Sequence, residues 1–238
     1  TYVNEDETPV IPNNIHSVSE DKEGNIWLST STGPLYLTPA DVQNGRVTQH
    51  KVPRNDGTDL ADYLLTNVEI RCVRADGANR KWIGTSDGVF LISADCNTMV
   101  QHFTVNNSSL LSNVVNDILV DQNSNIVYFA TDNGLCSYAS DATQPAEAMD
   151  KDNVYAYPNP VTPDYTGDVT IVGLSFDADV KIVTSNGVLV NSGRSTGGTY
   201  RWNGRDLKGK RVASGVYMVE TAMQDGGKGV VCKIAIVN

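Results

Sequence analysis

Three histidines, four cysteines and a recurring set of acidic turns are the side chains in this sequence best suited to chemistry. Histidines held together could move protons or hold zinc, but His16, His50 and His102 are far apart in the chain. His50 and His102 each follow Gln in matching runs, Thr48-Gln-His and Val100-Gln-His. That placement suits a feature of a repeat better than a catalytic pair. The cysteines, Cys72, Cys96, Cys136 and Cys232, are separated by 24, 40 and 96 residues and match no zinc or redox spacing. The apolar neighbours of Cys136 and Cys232 point to buried free thiols on strands, with a Cys72–Cys96 disulfide as the alternative. The run Asp21-Lys-Glu-Gly-Asn25 has two readings, a calcium loop or an Asx-turn. It lacks the alternating Asp/Asn ligands of the former, which favours the turn. Nucleophile-elbow, zinc-protease, phosphate-loop and dinucleotide motifs are absent from the sequence. The expectation is therefore a non-enzyme with no catalytic residues, metal site or cofactor; the ligand-binding residues are not assigned by the sequence.

The elements that must carry these residues are strands. Twenty glycines and nine prolines punctuate short runs rich in Val, Ile, Thr and Tyr. No segment sustains the 3.6-residue apolar spacing of a core helix over three turns. Net charge is −10 and uneven: residues 1–147 hold 19 acids and 8 bases, residues 148–238 hold 9 acids and 10 bases. An acidic first part repels phosphate backbones, so nucleic acid is not expected as a partner. The shift near residue 148 suggests a domain boundary. No apolar run approaches the roughly 18 residues of a membrane span.

Three segments align, 15–37, 70–92 and 115–138. Each has an alternating strand, an acid opening a turn (Asp21, Asp76, Asp121) and a second strand bearing an aromatic (Trp27, Trp82, Tyr128). That strand closes on Thr30, Thr85 or Thr131, and a glycine follows three residues later (Gly33, Gly88, Gly134). The aromatics are 55 and 46 residues apart, a period typical of propeller blades. Runs at 46–52 and 99–105 predict a fourth strand in the first two units. The glycine supplies the positive φ of a tight turn. The aromatic is expected to pack between blades, with a sugar-stacking surface as the alternative. The pattern around Asp21–Thr30 and Asp76–Thr85 resembles the two-component regulator propeller repeat. The third copy departs from it through Val127-Tyr128 and one inserted residue. Three repeats do not close a ring, for which four or more blades are typical. The expectation is a part of a longer protein whose upstream blades are missing here.

After a polar stretch at 140–153 come Tyr157-Pro158-Asn159-Pro160 and short strands expected over 168–172, 179–184, 188–191, 199–202, 215–222 and 229–237. Hairpin signals stand at Asn186-Gly187 and Asp225-Gly226-Gly227. About seven short strands suit an immunoglobulin- or fibronectin-like β-sandwich. Tyr157–Pro160, Trp202-Asn-Gly204-Arg-Asp206 and Val212-Ala-Ser-Gly215-Val-Tyr217 resemble the C-terminal β-sandwich of proteins handled by the type IX secretion system. Trp202 and Tyr217 are expected in the core and the glycines in turns.

The expected fold is all-β: a partial β-propeller of about three four-stranded blades over 1–139, a linker at 140–153 and a C-terminal β-sandwich over 154–238. Propeller repeats followed by this sandwich resemble the PorZ-like cell-surface proteins of that machinery. The resemblance implies a non-catalytic exported accessory or glycan-binding protein that helps process cargo and attach anionic lipopolysaccharide. Its partners would be other surface or secretion proteins or anionic polysaccharide. Two alternatives stay open: the periplasmic sensor of a hybrid two-component system, and the C-terminal part of a secreted cargo protein.

Overall fold

The computed structural model describes the chain except residues 1, 5, 13, 55, 224–228 and 238, so the hairpin signal at Asp225–Gly227 lies outside the described residues. Strands make up 48% and helix 3%, which places the protein in the all-β class expected from its turn-punctuated sequence. Two compact units are present, Thr1–Ser140 and Asp141–Asn238.

In the first unit β1 (Tyr2–Val3) and β2 (Pro9–Val10) form a short ladder. Strands β3 (Ser17–Glu20), β4 (Ile26–Thr30) and β5 (Gly33–Leu37) then build the first repeat's sheet, with each strand antiparallel to the next. Helix α1 (Pro39–Asn44) follows, and after it the hairpin β6 (Lys51–Pro53) and β7 (Ala61–Tyr63). The second repeat supplies β8 (Ile70–Ala75), β9 (Lys81–Thr85), β10 (Gly88–Ile92) and β11 (Met99–Phe103) as one four-stranded meander. The third supplies β12 (Val115–Asp121), β13 (Ile126–Thr131) and β14 (Gly134–Ala139).

Of the three repeat sheets, the second alone has four hydrogen-bonded strands among the described residues, which corrects the expectation for the first repeat. There the stretch 46–52 meets the first sheet at one bridge, Tyr36 to Thr48, while Arg46 bridges Val3 and the residues beyond pair forward as β6–β7. The cause is local. Thr38 and Asp41 form a reciprocal capping box, Pro39 fits the first helical turn, and Gly45 ends the helix at φ 64°. Helix and hairpin occupy the chain that makes the first interval the longer one. The polar helix buries none of its own residues, so no apolar periodicity announces it.

Apolar side chains meet between neighbouring sheets. Trp27 of the first sheet packs with Ile70, Val73, Ile83 and Phe90 of the second. Trp82 and Leu91 of the second pack with Val115, Ile118 and Phe129 of the third. Gly84 permits the second contact: a Cβ there would lie 2.7 Å from Cys72 Sγ and 3.1 Å from Val115 Cγ1.

In the second unit β15 (Tyr155–Tyr157), β16 (Val169–Val172) and β19 (Tyr200–Trp202) form one antiparallel sheet, in the order β15-β16-β19. Strands β17 (Asp179–Thr184), β18 (Leu189–Arg194), β20 (Gly215–Ala222) and β21 (Val231–Ile236) form another, in the order β18-β17-β20-β21. The two sheets enclose one core, with Ile171, Val180, Ile182, Trp202, Val219 and Ile234 contributed by alternate positions along the strands. Residues 141–153, expected as a linker, belong to this unit. Ala142 and Met149 are buried, Thr143 bridges Gly197, and Thr199 Oγ1 donates to the Asp141 carbonyl.

Candidate functional site

The repeated acid and aromatic converge on one hydrogen-bonded device. Asp21 Oδ1 accepts from the backbone N–H groups of Glu23 and Asn25 at 2.9 and 3.0 Å, closing the Asx-turn. Its Oδ2 accepts from Trp27 Nε1 at 2.9 Å. Asp76 repeats this, with Ala78 N and Arg80 N on Oδ1, and Trp82 Nε1 at 3.1 Å and Arg80 Nε at 2.8 Å on Oδ2. The six-residue spacing from acid to tryptophan spans a tight hairpin, so both side chains reach the same end of the sheet. In the third repeat the tyrosine has no indole N–H and the turn is one residue longer. The Asp121 side chain there accepts hydrogen bonds within its turn, from Asn123 N, Ser124 N and Ser124 Oγ.

Lys81 was not singled out by the sequence, although it is among the most buried side chains present. Its Nζ lies 3.3 Å from Asp21 Oδ2 in the preceding repeat, donates to the Ala94 carbonyl at 3.0 Å, and stands 5.5 Å from the Trp27 ring centroid. Burial pushes the Asp21 carboxyl upward, but the hydrogen bonds from Trp27 and Asn25 and the Lys81 charge outweigh it and hold the group below its ordinary value.

The Thr-x-x-Gly element closes each second hairpin. Thr30, Thr85 and Thr131 donate through Oγ1 to the carbonyls of Gly33, Gly88 and Gly134 at 2.7, 2.9 and 2.8 Å. Gly88 has φ 99°, and a Cβ there would meet the Phe103 carbonyl oxygen at 2.1 Å. The glycine thus serves both the turn and the close approach of β11.

In the second unit Trp202 is buried and donates from Nε1 to the Arg205 carbonyl at 2.8 Å. Tyr217 lies 5.7 Å from it, ring to ring, and donates to the Ala213 carbonyl at 2.8 Å. Gly204 takes φ 70° in the loop after Trp202. Gly215 opens β20 without a positive φ. Asn159 does the work of the Tyr157–Pro160 run. Its Nδ2 donates to the Lys233 carbonyl at 2.8 Å and its Oδ1 accepts from Ala235 N at 3.0 Å, imitating a neighbouring strand along the edge of β21. Tyr157 is exposed beside Tyr155, and Pro160 lies on the surface.

The histidines have separate settings. His16 Nε2 lies 3.4 Å from Glu69, His50 Nε2 lies 3.1 Å from Asn97 Oδ1, and His102 stacks on Phe90. All four thiols are free. The two buried ones are Cys72 and Cys96, in different inter-sheet cores; Cys136 and Cys232 are free and on strands as expected, but half-buried rather than buried. Desolvation raises Cys72 to about 12 and Cys96 to about 11. Among the described residues no group of three or more His, Cys, Asp or Glu side chains could hold a metal, and no helix is long and apolar enough to cross a membrane.

The family model "Two component regulator propeller" matches residues 9–32, which include the Asp21–Thr30 element. The chain is similar over 100% of its length, at 28% identity and a TM-score of 0.64, to PorZ, an essential bacterial surface component of the type-IX secretion system of Porphyromonas gingivalis. It spans about a third, 32%, of that chain. Extracellular domains assigned to the two component systems BT3049 and BT4673 of B. thetaiotaomicron also align. Their identities are 14% and 13%, covering 95% and 96% of this chain and 32% of each of theirs, with TM-scores of 0.41 and 0.38. No curated protein matches the chain.

Proposed function

We propose that this chain is part of a non-catalytic exported accessory protein of the outer cell surface that supports type IX secretion and lipopolysaccharide attachment of cargo. The supporting observation is the likeness to PorZ along the whole chain, spanning both units, at 28% identity. The aligned length takes in both the repeat segments and the second unit that holds Trp202 and Tyr217. The side chains recurring in the repeats are engaged in turns and inter-sheet packing, which suits a binding scaffold. Its partners in this reading are other surface or secretion proteins, or anionic polysaccharide.

The test is deletion of the gene in its source bacterium, followed by fractionation of proteins that end in type IX sandwiches. Cargo that accumulates unprocessed inside the cell and returns to the surface on complementation supports the proposal. Cargo processed and attached normally in the deletion strain sinks it. Calorimetry of the complete protein with surface polysaccharide tests the glycan partner, which the absence of saturable heat would remove.

A further inference from the structure

Charge is unevenly placed in the second unit. Residues 201–217 carry five cations, Arg201, Arg205, Lys208, Lys210 and Arg211, against one acid, Asp206. The last four cations crowd into the loop 205–211, and all four are exposed. The loop turns back on itself. Arg205 bridges Arg211, the Asp206 N–H donates to the Lys210 carbonyl at 2.9 Å, and the Gly209 N–H donates to the Asp206 carbonyl at 2.9 Å. Asp206 Oδ1 accepts from the N–H groups of Lys208 and Lys210, both at 2.9 Å, which fixes the turn. Leu207 stands in that turn among the cations, 62% exposed.

A second turn lies at the same end of the sandwich. The β17–β18 hairpin closes through Thr184, whose N–H donates to the Val188 carbonyl at 2.9 Å, with Gly187 at φ 84°. Residues 184–190 carry no charge, and Val188 and Leu189 are 58% and 43% exposed. Val188 and Leu189 from this hairpin, and Lys210 and Arg211 from the loop, line one hollow of about 500 Å³ together with Tyr217. Two turns with exposed aliphatics, Leu207 and Val188, thus stand beside one cation-lined hollow.

We infer that this end of the second unit docks on an anionic lipid surface. Leu207 and Val188 enter the boundary between headgroups and acyl chains, and Arg205, Lys208, Lys210 and Arg211 lie against the headgroups. A protein-binding face gathers its apolar side chains at the centre and keeps charge to the rim. Here the aliphatics stand on two separate turns among cations, which suits a headgroup layer. There the alkyl stems of Lys and Arg lie along the apolar boundary while their charges stay in water. Each cation near such a surface strengthens binding about fivefold. Shallow aliphatics add to this without anchoring the chain alone, so the attachment is reversible and needs both. The chain as a whole carries −10, which an anionic surface repels, so binding has to come from a local patch. None of this depends on the secretion role proposed above. An acidic protein partner is the competing occupant.

The test is co-sedimentation of the 238-residue chain with vesicles containing phosphatidylglycerol and with vesicles of phosphatidylcholine alone. Binding is expected to the first and not to the second, weakening as salt rises from about 0.05 to 0.3 M. Lys208→Gln with Lys210→Gln should weaken it about twentyfold. Lys181→Gln with Lys233→Gln, the same change of charge at exposed positions of β17 and β21, should leave it nearly unchanged. Leu207→Asn with Val188→Asn should weaken it about tenfold. In the unsubstituted chain, amide exchange over 205–211 and 186–189 should slow on the anionic vesicles while β21 is unaffected, which reads the same contact if a variant misfolds. No binding to anionic vesicles at low salt overturns the inference, as does equal loss for the two lysine pairs or equal binding to both lipids. Binding that needs the lysines but not Leu207 and Val188 assigns the patch to an acidic partner and also overturns it.

Discussion

Lys81 and Asp21 form a buried ion pair between two repeats, with side-chain exposures of 2% and 1%. Such a pair stabilises little against an apolar replacement of both partners, yet removing one leaves the other charge stranded. Lys81→Ala is expected to cost about 3–5 kcal/mol in urea unfolding, and the double variant Asp21→Asn, Lys81→Met much less. Because the native Asp21 carboxyl is held below its unfolded value, its contribution is fully present above about pH 4 and is lost as pH falls through the native value. Urea midpoints measured between pH 7 and pH 3 should therefore fall more steeply for the natural protein than for the double variant. The buried thiols give a second check at this scale. Reaction needs thiolate, and desolvation holds Cys72 and Cys96 to about 12 and 11. A thiol reagent should find these two inert in the native protein and count four thiols in denaturant.

At the scale of elements, the turns are where single changes should act most clearly. Gly88→Ala must displace the Phe103 carbonyl oxygen that meets its Cβ at 2.1 Å, whereas at Gly134 the nearest atom is Leu111 Cδ1 at 3.4 Å. Both carry positive φ, so both are strained, but only Gly88→Ala also pushes β11 off β10. Gly88→Ala is expected to lose about 2 kcal/mol or more and Gly134→Ala clearly less, by chemical denaturation. The edge of β21 depends on the paired hydrogen bonds of one amide. Asn159→Ala should cost about 1 kcal/mol and speed exchange of the Ala235 N–H, the donor that loses its acceptor. Unchanged exchange there would show that the edge holds without the amide.

For the whole molecule, each unit has its own core, and the segment 141–153 packs into the second. Residues 141–238 expressed alone should therefore melt cooperatively, while a fragment starting at 154 loses Met149 and Ala142 and should melt lower. Much of this architecture was legible in the sequence where local chemistry decides it. The Asp21, Asp76 and Asp121 turns, the Thr-x-x-Gly closures and the alternation of β17 and β20 depend on residues a few positions apart. Strands at 179–184 and 215–222 consequently fall where the sequence placed them. Other features depend on groups far away in the chain. The lost fourth strand at 46–52 reflects competition with α1 and the β6–β7 hairpin, and Lys81 is buried because Asp21 lies sixty residues earlier. Cys72 and Cys96 are buried, and Cys136 and Cys232 half-buried, according to which sheet face covers them. Tyr128 matches Trp27 and Trp82 in register, yet it is the aromatic that no further sheet covers among the described residues. The sequence by itself determined the repeat, its turns and the aromatic on each second strand, because those are short-range matters of φ, capping and pleat. Only the tertiary structure decided which aromatic faces are covered, because coverage depends on a neighbouring sheet some fifty residues away.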